Sequence, residues 1–341
     1  MSTLQERLNI STAVEMPPGH LGLKWESLDA RHAPSLAALI RKSQSFDLAT
    51  YPTSDAAIAD MVEGRTENTL ISTIVGLDNC GEVQAAATVY LPLKATKQIS
   101  VTLDASVSPS WRGRGLGRVL LRWQDQTARS LILQEYGPDS QQVVKISAAV
   151  AGNNDSARSL FIAAGYTPER TFDVMYADLA RPLVTYRLND EYEFHPWPEG
   201  CAVEEVRQLH QETFQDHWGS QETTLSWWDD SMDNLDRRWS CIVRDKKGEL
   251  AGYCVVARPV SRWMLTGVKE LYAELVGVSR SHRGKGLARA MLSHAVERAR
   301  EDGMQSFGLD VDVDNPSAAG QIYTAIGFEP KSSYTYYSVV L

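Results

Sequence analysis

Residues 274–292 read ELVGVSRSHRGKGLARAML, and the stretch parses as a strand, a glycine-rich turn and the opening of a helix. Val276 and Val278 alternate with smaller residues, as a buried strand would. Arg283-Gly284-Lys285-Gly286-Leu287-Ala288 comes next. Small residues there let the main chain approach a ligand closely and turn its N–H groups inward. The helix beyond brings unpaired N–H groups and the positive end of its dipole to the same point. Arg283, Lys285 and Arg289 add formal positive charge. A pyrophosphate is what such a cradle fits best. The spacing is not a Walker A loop, which ends in Gly-Lys-Ser/Thr, and not the G-x-G-x-x-G of a dinucleotide fold.

The stretch has a counterpart half a chain earlier. Residues 107–121, VSPSWRGRGLGRVLL, align with 278–292, VSRSHRGKGLARAML; about nine of the fifteen positions are identical, at an offset of about 171. A second pair follows in the same order: NNDSARSLFIAAGY at 153–166 and NPSAAGQIYTAIGF at 315–328, at an offset of about 162. The shorter offset fits an extra loop in the first copy, Glu135 to Gln142. The chain is therefore expected to hold two domains, divided as 1–180 and 181–341. Each should carry a cradle: Val107 with Arg112, Gly113, Arg114, Gly115, Leu116 and Gly117 in the first, Val276, Gly277 and Val278 with Arg283 to Ala288 in the second.

Composition agrees with two globular domains. The chain has 341 residues, enough for two cores of ordinary size. Hydrophobic residues make up 43% and charged residues 23%, typical of a soluble protein. The net charge of −9, without a long basic run, speaks against nucleic acid as partner and favours a cationic or amine-bearing one. Four cysteines show no C-x-x-C pair, and no histidine set has metal-ligand spacing, so no metal is expected. No segment has the length and apolarity of a membrane span, and the N-terminus lacks an apolar core of signal-peptide type; a cytoplasmic protein, a monomer or weak dimer, is expected.

Read in order, residues 1–19 form a loose polar arm. Each copy then runs through helices, a strand pair, a strand feeding the glycine turn, a long helix, a strand, a short helix and a final strand. For the first copy that last strand is Thr171 to Asp178; residues 181–200, with Pro182, Pro196, Pro198 and Gly200, mark the boundary. The order implies α+β domains, each a mixed, mainly antiparallel sheet flanked by helices.

With these residues in view, both halves resemble the GNAT superfamily of N-acetyltransferases. The hexapeptide Arg283 to Ala288 is similar to that family's acyl-CoA pyrophosphate motif, Q/R-x-x-G-x-G/A. The paired arrangement resembles actinobacterial two-domain enzymes of the mycothiol synthase type, with the closer likeness in the second half. The resemblance implies acetyl-CoA as donor and a primary amine, here of a small molecule, as acceptor. It also implies that the fourth and fifth strands splay to admit the pantetheine arm.

The chemistry asks for a base, since an ammonium has a pKa of about 10, for donors to the thioester oxygen, and for an acid to protonate the leaving thiolate. Glu274, about nine residues before Arg283, matches the base; strand alternation would put it on one face with Tyr272 and Val276, and Glu270 on that face is an alternate. Backbone N–H groups of Val276 to Val278 would polarise the thioester. Tyr323 matches the family's acid in its L/I-Y-x-x-x-G-F motif. Asn315 is read as a helix cap or a CoA contact.

The first copy departs at the chemical positions: Phe161 stands where Tyr323 does, and Leu103 aligns with Glu274, leaving Asp104 on the opposite strand face. That half is expected to hold CoA without catalysing, with Tyr166 and Tyr176 as substitute acids to be placed. The acceptor pocket is expected around His217, Trp218, Trp227 and Trp228, an aromatic and acidic stretch. Competing readings are acetylation of a protein amine or an aminoglycoside, and a non-catalytic acyl-CoA sensor.

Overall fold

The computed structural model describes the chain except residues 1–2, 11–13, 48, 50–51, 96, 201, 215–227, 229–230, 233 and 315–318. Contacts divide it into two compact units, Met1–Arg170 with Tyr334–Leu341, and Thr171–Ser333.

In the first unit, strands β1 (Lys24–Ser27), β2 (Thr69–Leu77), β3 (Val83–Pro92), β4 (Gln98–Val107) and β5 (Val143–Ala151) lie side by side in that order. Neighbours are antiparallel except β4 and β5, which run parallel. Helices α1 (Leu4–Leu8), α2 (Ala33–Asp47), α3 (Asp55–Glu63), α4 (Leu116–Tyr136) and α5 (Asp155–Ala163) complete the unit. Helices α2 and α3 cover one face, with Leu36, Leu39, Ile58 and Met61 on Ile71, Val75 and Ala86. Helix α4 covers the other, with Leu116, Leu120 and Ile132 on Ile99, Val101 and Ile146.

The second unit repeats this plan. Strands β7 (Tyr192–Pro196), β8 (Cys241–Asp245), β9 (Leu250–Ala257), β10 (Glu270–Val278) and β11 (Ser306–Asp312) follow the same order, and β10 and β11 are the parallel pair. Helix α6 (Ala202–Thr213) packs Val206 and Leu209 on Tyr253, Val255 and Leu275. Beyond a short α7 (Val260–Thr266), helices α8 (Leu287–Glu301) and α9 (Ala319–Ile326) cover the opposite face, with Met291, Ala295 and Ile326 on Leu271, Ala273 and Phe307. This is the expected α+β architecture.

The division at 180/181 is corrected in one respect: the last strand of each copy belongs to the other unit. Strand β6 (Thr167–Asp178) pairs antiparallel with β11, from Ser306↔Asp178 to Asp312↔Phe172. Strand β12 (Glu329–Val340) pairs antiparallel with β5, from Tyr334↔Ala151 to Val340↔Lys145. Val174, Met175 and Ala177 are buried in the second unit; Tyr337 and Val339 pack in the first. An alternating pattern fixes which face a strand buries, not which strand it lies beside, so the exchange left no local trace.

Three other expectations change. The N-terminal arm is tied down: Thr3 and Glu6 form a reciprocal cap, Leu4 and Leu8 are fully buried, and Arg7 donates to the carbonyls of Leu341, Ser140 and Gln142. Residues 181–200 include strand β7, whose short alternation is hidden among prolines. Helix α7 was not foreseen. Among the described residues, no helix is long and apolar enough to cross a membrane.

Ending the chain at Ser333 removes the neighbour of β5, whose Val144 and Ile146 are wholly buried. The first unit should lose several kcal/mol, at about 1 kcal/mol for each ladder hydrogen bond. Hydrogen exchange of the β5 amides measures it and should rise at least a hundredfold.

Candidate active site

The two glycine turns adopt one conformation. Gly113 and Gly115 have φ of 75° and 85°; Gly284 and Gly286 have φ of 77° and 80°. Side chains disfavour this left-handed region, so glycine is required at these turns. Gly115 and Gly286 are the N-caps of α4 and α8, and neither helix has a side-chain cap. The first-turn N–H groups therefore remain directed at whatever sits in the turn.

The cradles differ in their side chains. His282 is buried, and its Nδ1 is hydrogen-bonded to the Tyr192 hydroxyl at 2.9 Å. The Lys285 ammonium lies 5.4 Å over the Tyr192 ring and 3.8 Å from Glu191; these partners, Tyr192 first, raise its pKa and keep it cationic. Strand β7 thus braces the second cradle. Arg283 is exposed and donates to the carbonyls of Val278 and Thr213. In the first unit, Arg112 makes two bonds to Asp47, at 2.6 and 2.7 Å, and a third to the Val107 carbonyl. The Asp47 carboxylate raises its pKa and compensates its charge, as Glu191 does for Lys285 in the other cradle.

Strands β10 and β11 pair only as far as Ala273↔Leu309. Beyond that the strands fork, and among the described residues the main-chain groups of Val276 to Val278 facing β11 have no ladder partner in it. The register of β10 against β9 also breaks at this point: Ala273 pairs with Val256 and Leu275 with Val255, leaving Glu274 as the extra residue of a β-bulge. Glu274 is solvent-accessible at the tip of the fork. The bulge corrects one expectation. Val276 packs with Ala273 on the face under α8, whereas Leu275 packs under α6; Glu274 does not share a simple face with both Tyr272 and Val276. One inserted residue shifts the alternation by one.

The first unit forks too, after Thr102↔Ser147, but β3 and β4 stay in unbroken register and Leu103 is buried in the core. Asp104 lies on the other face and is exposed there.

Tyr323, on α9, packs against the core under α8. Burial, with a smaller contribution from Cys254, pushes its hydroxyl up to about 12. The phenol is therefore protonated at neutral pH, the state an acid needs. In the first unit Phe161 packs edge-on to Tyr166 and stacks on Tyr337. Of the substitute acids, Tyr166 is buried against Phe161 with Asp125 and Arg129 nearby, and Tyr176 belongs to the second unit.

His217, Trp218, Trp227 and Asn315 lie outside the described residues. Trp228 is corrected from pocket to core: it is 3% exposed and packs with Trp197, His210 and Tyr253 at ring distances of 6.3, 5.3 and 6.2 Å. The Tyr253 hydroxyl and His210 Nδ1 share a 2.6 Å hydrogen bond within this cluster. Gly277 has to be glycine, since a Cβ there would lie 2.2 Å from the Tyr253 ring.

Glu270 is also corrected as a base. It is buried and ion-paired with Arg262, which opposes the rise in pKa that burial causes. A carboxylate so enclosed does not meet an incoming amine. Around it on the same face, Tyr272 donates to Asp310 and the Arg262 guanidinium lies 5.3 Å over the Tyr176 ring. Asp310 was not singled out in the sequence; its signal is the alternation Gly308, Asp310, Asp312 against the buried Leu309 and Val311. Among the described residues, Asp245, Glu249 and His282 bring metal-ligating atoms within 4.8 Å of one another. Asp245 already accepts the N–H groups of Lys247 and Glu249 as an ordinary turn.

Residues 203–328 match the Acetyltransferase (GNAT) family, so the second unit carries a GNAT acetyltransferase domain. That family transfers acyl groups from acyl-CoA. More particularly, the whole chain has the fold of tandem GNAT proteins. It is similar to the GCN5-related N-acetyltransferase of Sphaerobacter thermophilus, at 21% identity over 96% of this chain and 97% of that one, with a TM-score of 0.71. It is similar also to a tandem GNAT protein from the clavulanic acid biosynthesis pathway, at 17% identity over 93% and 98% of the two chains, with a TM-score of 0.66. A third is the Saccharomyces cerevisiae N-myristoyltransferase with bound myristoyl-CoA, at 11% identity over 97% and 80%, with a TM-score of 0.57. The sequence matches no curated protein.

Gly277→Ala drives a methyl group into the fully buried Tyr253 ring. It should cost about 1–3 kcal/mol, read as a lower midpoint in thermal unfolding, and should weaken acetyl-CoA binding by displacing one side of the fork.

Proposed function

We propose that the second unit transfers an acetyl group from acetyl-CoA to a primary amine of a small molecule. The observation that carries this reading is the fork: the ladder ends at Ala273↔Leu309 with the bulged, accessible Glu274 at its tip. The pyrophosphate rests on the N–H groups of the Arg283 to Ala288 turn and of the first turn of α8. The pantetheine arm runs into the fork, and the N–H groups of Val276 to Val278 polarise the thioester. Glu274 takes a proton from the acceptor ammonium, directly or through a water. The neutral amine attacks the thioester carbon, the tetrahedral intermediate loses its second ammonium proton to solvent and expels CoA thiolate as Tyr323 gives it a proton, and solvent then reprotonates Tyr323 and takes the proton from Glu274.

The first unit, with the same glycine turn but an arginine held by Asp47, no bulge and Phe161, binds CoA or acetyl-CoA without catalysing. The protein works in the cytoplasm as a monomer or weak dimer, without metal or nucleic acid. Glucosamine, ethanolamine, spermidine and tyramine make a first acceptor panel; the cysteinyl-glucosaminyl-inositol acceptor of mycothiol synthases belongs in it, as do an aminoglycoside and a lysine peptide.

Thiol release from acetyl-CoA with this panel tests the reading; two CoA bound per chain with no turnover on any amine would make the protein a sensor. Tyr323→Phe should lower kcat by about 10²- to 10⁴-fold with the KM for acetyl-CoA unchanged, and equal turnover would remove it as the acid. Glu274→Gln should lower kcat over a similar range. The pH profile has a definite sign. Turnover should rise with pH as the acceptor loses its proton, and Tyr323, protonated up to about 12, should impose no alkaline fall below that value.

A further inference from the structure

A cleft of about 380 Å³ opens in the first unit, between the end of α3, the edge of β2 and the middle of α4. Strand β1 pairs with β2 only from Ile74 to Leu77, so the cleft meets a stretch of β2, Ile71 to Thr73, that β1 does not cover. Met61, Ile71, Ile74 and Trp123 form its apolar wall, and all four are buried. Among the described residues, none that lines it is charged, although 23% of the chain is. None belongs to the glycine turn or to the fork of β4 and β5 either.

Thr127 points to an occupant. It lines the cleft and is 5% exposed, and its hydroxyl has no hydrogen-bond partner among the described residues. A helical threonine ordinarily returns its hydroxyl to a carbonyl one turn back. A native interior leaves few polar groups unpaired, and each calls for a water, an ion or a ligand. Ser72 and Ser130, both half-buried, add hydroxyls to the same walls. At the mouth, Val14 and Met16 are 36% and 45% exposed, and an apolar body in the cleft would cover them. The second copy carries other chemistry here. Continued along both helices without a gap, the alignment of 107–121 with 278–292 sets His294, Arg298 and Glu301 against Trp123, Thr127 and Ser130.

We infer that this cleft is a small-molecule site for an uncharged aromatic compound bearing a hydrogen-bond acceptor such as a carbonyl. The ring lies against Trp123 and the thioethers of Met16 and Met61, and Thr127 donates its hydroxyl to the acceptor. A charged group would give up its hydration in a cleft that offers no counter-ion. The volume stands at the low end for ligand pockets and limits the occupant to roughly one fused ring pair. The site shares no residue with the cradle of the first unit, so its ligand binds alongside CoA. It stands independently of the transferase reading of the second unit.

The full chain, labelled at its methionine methyl groups, reports the site directly by NMR. Acetophenone and methyl benzoate should each shift the Met16 and Met61 signals, assigned through Met16→Leu and Met61→Leu. The signal of Met291, buried in the second unit, should stay in place. Saturating CoA should leave both affinities unchanged, and benzoate and benzylamine should bind about tenfold more weakly. Thr127→Val removes the hydroxyl at nearly constant shape. It should not lower the thermal midpoint, since the hydroxyl has no partner in the empty cleft. It should weaken acetophenone roughly three- to tenfold and leave ethylbenzene, which has no acceptor, unchanged. Unmoved Met16 and Met61 signals with both neutral probes overturn the inference, as does equal binding of the charged ones. A Thr127→Val variant that binds acetophenone as the wild type does overturns it too.

Discussion

Strands β10 and β11 stop exchanging hydrogen bonds after Ala273 and Leu309, and main-chain N–H and C=O groups beyond that point need a partner from elsewhere. A parallel pair left open in this way is costly in a closed core, and it persists here because both strands are held from outside. Strand β9 holds β10 through the bulge, and β6 holds β11 along its whole length. The fork is thus a fixed gap between two braced strands. The glycine turn lies at its far end and Tyr323 on the face under α8.

The two forks differ in few residues. Both forks exist, both glycine turns have the same dihedrals, and both helices start with open N–H groups. The differences are small and local. One extra residue in β10 lifts Glu274 out of the ladder, whereas Leu103 stays buried in a continuous one. One ring carries a hydroxyl in Tyr323 and none in Phe161. A carboxylate at the end of α2 occupies Arg112, while His282 and Lys285 lean on Tyr192 in the second cradle. The same fold can therefore carry different side chains at the same positions.

The parts of the site that depend on local conformation were legible in the sequence. Glycine pairs that must adopt positive φ, a helix that starts without a side-chain cap, and a tyrosine at fixed spacing from Gly327-Phe328 are properties of a few consecutive residues. The parts that depend on pairing were not. Alternation put Glu274 with Tyr272 and Val276, and a single-residue bulge broke that rule. Glu270 read as an accessible carboxylate, but its partner Arg262 comes from a helix the pattern did not announce. Trp228 read as a pocket wall and is packed among Trp197, His210 and Tyr253.

By itself the sequence determined that the chain is a repeat of one α+β unit with two phosphate-type turns, because those features are written in short-range spacing and backbone preference. Only the tertiary structure decided that each copy lends its last strand to the other unit and that Glu274 stands out of the ladder. Strand neighbours and register are set by the hydrogen-bonding and burial of residues more than a hundred positions apart, as with Asp178 and Ser306, and no local pattern carries that information.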